Sequence, residues 1–301
     1  MDIVGAFACS HAGLIVTRRD RAAPEQRDAV YGAYAAVRDA VAALRPDAIL
    51  ILATDHTKAF PLSHVPAFTI GVGPVARGLG DGGLAPCEVP VHQLFAKVVL
   101  EGGVERGVDL AFSEDVAVDH SFVMPLSLVT PDLDVPVVPL TQNCNVPPRP
   151  TFERSYEVGA RIRAAIQAGP PGRLVVIGTG GLSHWVGSEE RRAFMRRDPG
   201  TRLPDAASFA LEIEDTGPVN ADFDRAFLAA LRDGAAMPFV RQWTADAIEE
   251  LAGNGVHEIR NWLTVAGIVA DAAAETLAYE PVAEWLTGTA VARFLLPEAA
   301  A

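Results

Sequence analysis

Two rhythms of apolar and polar positions alternate along this chain. Ile3–Ala8 and Ala48–Ala53 are short, unbroken apolar runs, and between them Val30, Tyr34, Val37, Val41 and Leu44 recur at spacings of three and four. The runs predict buried strands and the spaced set an amphipathic helix, so the segment reads as strand, helix, strand with a right-handed crossover between parallel strands. Phe68–Val72, Val108–Phe112, Val135–Leu140 and Leu174–Ile177 predict further buried strands. After Ile177 the strand signals nearly cease. Helices are predicted at Ala221–Leu231, at Ala245–Leu251 and from about Val256 to Leu277, the last with Ile259, Trp262, Ala266, Val269, Ala273 and Leu277 on one face. The expectation is an α/β fold: a central, largely parallel or mixed twisted sheet flanked by helices, with a helical C-terminal part. No Pro/Gly/Ser-rich linker separates two apolar cores, so one domain over residues 1–301 is expected.

Composition narrows the function classes. Half of the 301 residues are hydrophobic and 21% charged, which excludes a disordered or collagen-like chain. Lys and Arg total 25 against 38 Asp and Glu, a net charge of −13 with no basic run, so nucleic acid and anionic membrane surfaces are excluded as expected partners. The longest apolar runs fall far short of a membrane span and the N-terminus lacks a secretory pattern, so a soluble, cytoplasmic protein is expected. Cys9, Cys87 and Cys144 form no CxxC pair and read as reduced thiols, Cys9 as a small buried hydrophobe.

Chemistry is expected beyond the carboxyl ends of the strands, where open α/β sheets gather ligands. His11 follows the first run, His56 follows Ala48–Ala53 in Thr54-Asp55-His56, and His184 follows Leu174–Ile177 in GTGGLSH, residues 178–184. On parallel strands these imidazoles converge on one rim. Converging neutral imidazoles suit a first-row metal, and an oxygen ligand would mark an open site rather than a closed structural one. Glu258, just past the helix-start signal Asn254-Gly255, is the candidate for that oxygen, with an ordinary dipole-compensating glutamate as the alternative. His120, in Val118-Asp119-His120, adds a fourth imidazole.

Other signals are weaker. His64 and His92 sit beside prolines or in irregular segments and read as surface; His257 points about 100° from Glu258 on a helix and reads as a supporting or surface residue. Gly178-Thr179-Gly180-Gly181 lacks the Lys-Ser/Thr of a phosphate loop and reads as glycines admitting close backbone approach. Ser183-His184 has no nucleophile-elbow context, so a serine hydrolase is not expected. Glu189–Arg197, EERRAFMRR, reads as a solvated helical face, with arginines meeting a substrate carboxylate or belonging to a lid as the alternative. Asp55 and Asp119 lie beside histidines, but neighbours on extended backbone point opposite ways, so neither is assigned as an imidazole partner.

Taken together in order, CSHAGL at 9–14, TDH at 54–56, FTIGVGPVARGLGD at 68–81, VDHSFVMPL at 118–126, VPVVPL at 135–140, GGLSH at 180–184, HEIRNW at 257–262 and PVAEW at 281–285 resemble the class III extradiol ring-cleavage dioxygenases. The pattern is most like the 2,3-dihydroxyphenylpropionate (3-carboxyethylcatechol) dioxygenase branch, and more distantly like the β subunit of protocatechuate 4,5-dioxygenase. The resemblance covers nearly the whole chain. It implies Fe(II) held by His11, His56 and Glu258, with His120 and His184 as the acid/base pair; His120 is assigned here as the candidate base and His184 as the candidate acid, and the resemblance itself leaves that division open. It also implies an aromatic diol and O2 as substrates, a hydroxymuconic semialdehyde-type product, no organic cofactor and a homo-oligomer. Trp185-Val186-Gly187 departs from the polar, proline-rich sequence that follows GGLSH in the phenylpropionate enzymes, which leaves the ring substituent open. An aminophenol substrate, a zinc-dependent hydrolase on the same ligands and a metal-free scaffold are the competing readings.

Overall fold

A computed structural model describes residues 1–187, 192, 193, 196 and 217–297. Eleven strands are described: β1 (Asp2–Cys9), β2 (Ala48–Ala53), β3 (Phe68–Gly71), β4 (Val75–Gly78), β5 (Cys87–Pro90), β6 (Ala111–Ser113), β7 (Ala117–Val118), β8 (Val137–Gln142), β9 (Arg173–Thr179), β10 (Ala274–Val282) and β11 (Thr287–Phe294). Eight of them form the main sheet, in the order β10-β11-β1-β9-β2-β8-β3-β6, and β5-β4-β7 form a small second sheet. β1, β9, β2 and β8 are mutually parallel neighbours, β3 runs antiparallel to β8, and β11 runs antiparallel to β1. The mixed, mostly parallel sheet flanked by helices matches the fold expected from the apolar runs.

The six residues of β2, AILILA, are all buried, as a central parallel strand covered on both faces requires. The Pro24–Leu44 helix carries proline in its first turn, where the missing N–H costs nothing, and buries Val30, Tyr34, Val37 and Val41. It packs on the His120–Val129 helix, whereas the Phe152–Ala168 helix packs on Gln93–Glu105 and on Ile259–Ile268.

The C-terminal expectation needs one correction. The last helix ends at Ile268, and Ala273 and Leu277 belong to the turn and strand that follow. Ala270 and Asp271 hold positive φ of 53° and 57° and close the helix without a glycine, so no stop signal marks it. β10 then carries a bulge between Thr276 and Ala278, and it buries Ala274, Ala278 and Val282 at intervals of four. That spacing is two strand periods and also fits a helical face, so the apolar positions alone do not tell the two apart.

Among the described residues no helix is long and apolar enough to cross a membrane.

Candidate metal centre and active site

Because β1, β9 and β2 are parallel neighbours, the segments leaving their carboxyl ends lie side by side. His11 leaves β1, His56 leaves β2, and Gly180–His184 leaves β9. Glu258 arrives from elsewhere, at the junction of a 3-10 turn, Asn254–Glu258, and the Ile259–Ile268 helix. Side chains of that helix stitch it to the end of β9: Asn261 Nδ2 donates to the Thr179 carbonyl at 2.8 Å and Trp262 Nε1 to the Gly180 carbonyl at 3.1 Å. A Cβ on Gly180 would lie 2.8 Å from Glu258 Cβ, so the glycines of this turn serve close backbone approach.

The hydrogen bonds fix the tautomers. Thr179 gives its hydroxyl proton to the Ser121 carbonyl at 2.9 Å, so at 3.1 Å it accepts from His11 Nδ1–H. His56 Nδ1–H donates to Asp119 Oδ2 at 2.9 Å, and the His56 backbone N–H donates to the same oxygen at 2.8 Å. With both Nδ1 atoms occupied as donors, a neutral ring at either position would present a bare Nε2 lone pair to Glu258. His11 Nε2 lies 3.2 Å from Glu258 Oε2 and His56 Nε2 lies 3.1 Å from Glu258 Oε1. Gly181 N–H donates to Oε2 at 2.7 Å.

Lone pairs facing carboxylate oxygens repel unless a cation stands between them. Burial lowers the His11 pKa, with Glu258 opposing, which favours its neutral, metal-binding form. Burial also works against charge on His56, but Asp119 and Glu258 outweigh it and push His56 up to about 10. Burial would raise the Glu258 carboxyl, yet the imidazoles of His11 and His184 hold it well below the usual carboxylate range. Two protons would place two imidazolium rings with centroids 5.3 Å apart, whereas one divalent ion supplies the same charge without that repulsion. The donor set therefore fits a borderline-to-hard first-row metal.

His120 stacks on His56 with centroids 4.3 Å apart and gives Nδ1–H to Asp81 Oδ2 at 2.6 Å. It heads the His120–Val129 helix, whose cap is Asp119. Ligand atoms of His11, His56 and His120 lie within 4.8 Å of one another, as do those of Asp81, Asp119 and His120. In the second group both carboxylates already accept imidazole N–H groups. His184 gives Nδ1–H to the Leu182 carbonyl at 2.8 Å and sets Nε2 at 3.8 Å from Glu258 Oε2. All five residues singled out in the sequence thus meet in one buried to half-buried cluster.

Gly255 closes the His184 side: a Cβ there would lie 2.1 Å from His184 Nε2. Gly255→Ala is expected to displace that ring and lower kcat by about 100-fold, the scale of a misplacement near 1 Å. Steady-state kinetics at matched metal content check it, and an unchanged kcat would contradict the placement.

The acidic partners were not legible. Asp119 serves His56 rather than its neighbour His120, and Asp81 reaches His120 from 39 residues away. Asp55 caps the backbone N–H groups of Lys58, Ala59 and Phe60. His257 is fully buried rather than at the surface: Arg260 Nη1 donates to its Nδ1 at 2.7 Å and its Nε2–H donates to Glu249 at 2.9 Å. His64 is exposed as expected, but His92 is half-buried and caps a helix by accepting from Phe95 N–H at 3.3 Å. Cys9 is buried, and burial pushes its thiol up. Glu189–Arg197 lies outside the described residues except for Arg192, Ala193 and Arg196; Arg192 sits over the Trp185 ring at 5.4 Å.

Residues 5–293 match the family described as the catalytic LigB subunit of aromatic ring-opening dioxygenase. The chain belongs to this family. The LigB assignment makes it a class III extradiol dioxygenase, an enzyme that opens aromatic rings. It is 31% identical over 292 residues to the 2,3-dihydroxyphenylpropionate/2,3-dihydroxicinnamic acid 1,2-dioxygenase of Escherichia coli O139:H28 (strain E24377A / ETEC), covering 88% of this chain and 91% of that one. The counterpart in Escherichia coli (strain K12) is 32% identical over 294 residues, with the same coverage. The fold also matches the crystal structure of an uncharacterized protein from Escherichia coli K12, with a TM-score of 0.60, 13% identity, and 97% and 99% of the two chains covered.

Proposed function

We propose that this LigB-family chain cleaves a catechol-type aromatic diol on the extradiol side, using Fe(II) and O2 and giving a hydroxymuconic semialdehyde-type product. His11, His56 and Glu258 would hold the metal through two imidazole nitrogens and one carboxylate, a donor set suited to Fe(II). The observation that carries the reading is the pair of imidazole Nε2 atoms set 3.2 and 3.1 Å from the two oxygens of one buried carboxylate. Bound there, Fe(II) supplies Lewis acidity toward the diol and the one-electron chemistry that O2 requires.

The remaining residues handle protons. With Nδ1–H committed to Asp81, His120 has Nε2 free to take a hydroxyl proton, and the Asp81 carboxylate stabilises the imidazolium that forms. His184 gives Nδ1–H to the Leu182 carbonyl, so Nε2 is the ring atom through which it would deliver a proton as the acid while the ring opens. Asp119 fixes the tautomer and direction of His56. Asp119→Asn is expected to weaken Fe(II) affinity by roughly 10–100-fold while leaving the fold intact, because Asn can reverse one of the two hydrogen bonds that orient the imidazole. Anaerobic Fe(II) titration reads this directly; wild-type affinity would remove Asp119 from the account.

The relatives named above act on 3-substituted catechols, so that class is the first to test, alongside catechol and aminophenols. The resemblance also supports a cytoplasmic homo-oligomer. Anaerobic reconstitution with Fe(II), followed by air and a panel of diols, tests the reaction: O2 uptake should match yellow, ring-opened product mole for mole. Zinc-loaded turnover of an ester or amide with no O2 uptake would replace this reading with the hydrolase.

A further inference from the structure

The turn that carries His184 is anchored by a carboxylate from a distant part of the chain. Asp224 lies in the first turn of the Ala221–Arg232 helix and is fully buried. Its Oδ1 accepts the Ser183 backbone N–H at 2.8 Å, and its Oδ2 accepts the Ser183 hydroxyl at 2.8 Å and the Tyr279 hydroxyl at 2.9 Å. The Ser183 hydroxyl in turn accepts from Asn220 N–H, the cap residue of the same helix, at 2.8 Å. Gly288 passes so close that a Cβ there would lie 1.9 Å from Asp224 Oδ2, and its N–H donates to the Ser183 carbonyl at 3.0 Å.

A buried carboxylate costs several kcal/mol unless donors surround it. Here two of its three donors belong to the single residue that precedes His184. On the other side, His184 N–H donates to the Ala252 carbonyl at 2.9 Å and Gly255 N–H donates to the His184 carbonyl at 3.0 Å. The backbone on both flanks of His184 is therefore clamped, and Asp224 is the charged half of the clamp. It touches neither Glu258 nor the metal-facing imidazoles of His11 and His56 through any hydrogen bond or ion pair among the described residues.

We infer that Asp224 is a positioning residue for His184, acting through Ser183 to hold the imidazole where it exchanges a proton with substrate oxygen. The inference rests on the acid/base role proposed above for His184. An isosteric amide turns one acceptor into a donor facing two hydroxyls, so Asp224→Asn loosens the turn without opening a cavity.

The test is a double-mutant cycle in kcat on the full-length, Fe(II)-loaded enzyme with a 3-substituted catechol. Asp224→Asn should lower kcat by about tenfold or more, with KM and iron content within about twofold of wild type. In a His184→Gln background the same substitution should change kcat by less than about twofold, because the group it positions is already gone. Equal fold losses in both backgrounds, a parallel loss of iron, or an unchanged kcat would overturn the inference. If Asp224→Asn does not fold, Ser183→Ala keeps the backbone contact and carries the same cycle with a smaller loss; additivity there overturns it equally. A His184→Gln enzyme as fast as wild type removes the role of His184 and the inference with it, whereas a slow His184→Gln enzyme with additive losses removes the inference alone.

Discussion

Glu258→Gln is expected to abolish iron retention and turnover together. The carboxylate is fully buried, and its two oxygens face the Nε2 atoms of His11 and His56 at 3.2 and 3.1 Å. An amide keeps the shape and removes the charge that a divalent ion needs, so the loss should exceed the roughly 10–100-fold penalty of disturbing a residue that only orients a ligand. The variant should still fold, since Asn261 and Trp262 go on tying the helix to the end of β9. Thermal unfolding separates the two effects. Fe(II) at 100 times its Kd should stabilise the wild type by about 2.7 kcal/mol and the variant by nothing measurable. A variant that keeps stoichiometric iron would take Glu258 out of the ligand set.

His184→Gln should give the opposite pattern, with iron retained, diol bound and turnover slowed by about 10²–10⁴-fold, the usual contribution of a positioned acid or base. Its Nε2 stands farther from Glu258 Oε2, at 3.8 Å, than the nitrogens of His11 and His56 do. Its Nδ1 donates to a backbone carbonyl, and its backbone is held by hydrogen bonds with Ala252 and Gly255. Glutamine fills much of the same space but cannot carry the proton. Anaerobic diol binding, iron content and kcat, measured together, check the division of labour between Glu258 and His184; equal iron loss in the two variants would contradict it.

The parts of the site that were legible in the sequence share one physical cause. A buried parallel strand must be an unbroken apolar run, so the residue just past each run marks the ligand-bearing rim, and His11, His56 and His184 each stand there. Glu258 was reachable through a helix-start signal, although a 3-10 turn, not the first turn of the helix, carries it. What stayed hidden depends on contacts between distant segments. Asp81, Asp119 and Asp224 are ordinary acidic residues until the fold sets them against His120, His56 and Ser183. The bulged strand β10 was hidden for a related reason: its burial spacing of four becomes strand-like only when paired with β11.

The central claim is the identity of the third ligand, since His120 also lies within reach of the two histidines. Anomalous diffraction at the iron edge from crystals of the Fe(II)-loaded enzyme decides it. The account predicts one peak per chain, bonded to His11 Nε2, His56 Nε2 and a Glu258 oxygen. A peak held by His11, His56 and His120 with Glu258 turned away, or no peak at this rim, would contradict it.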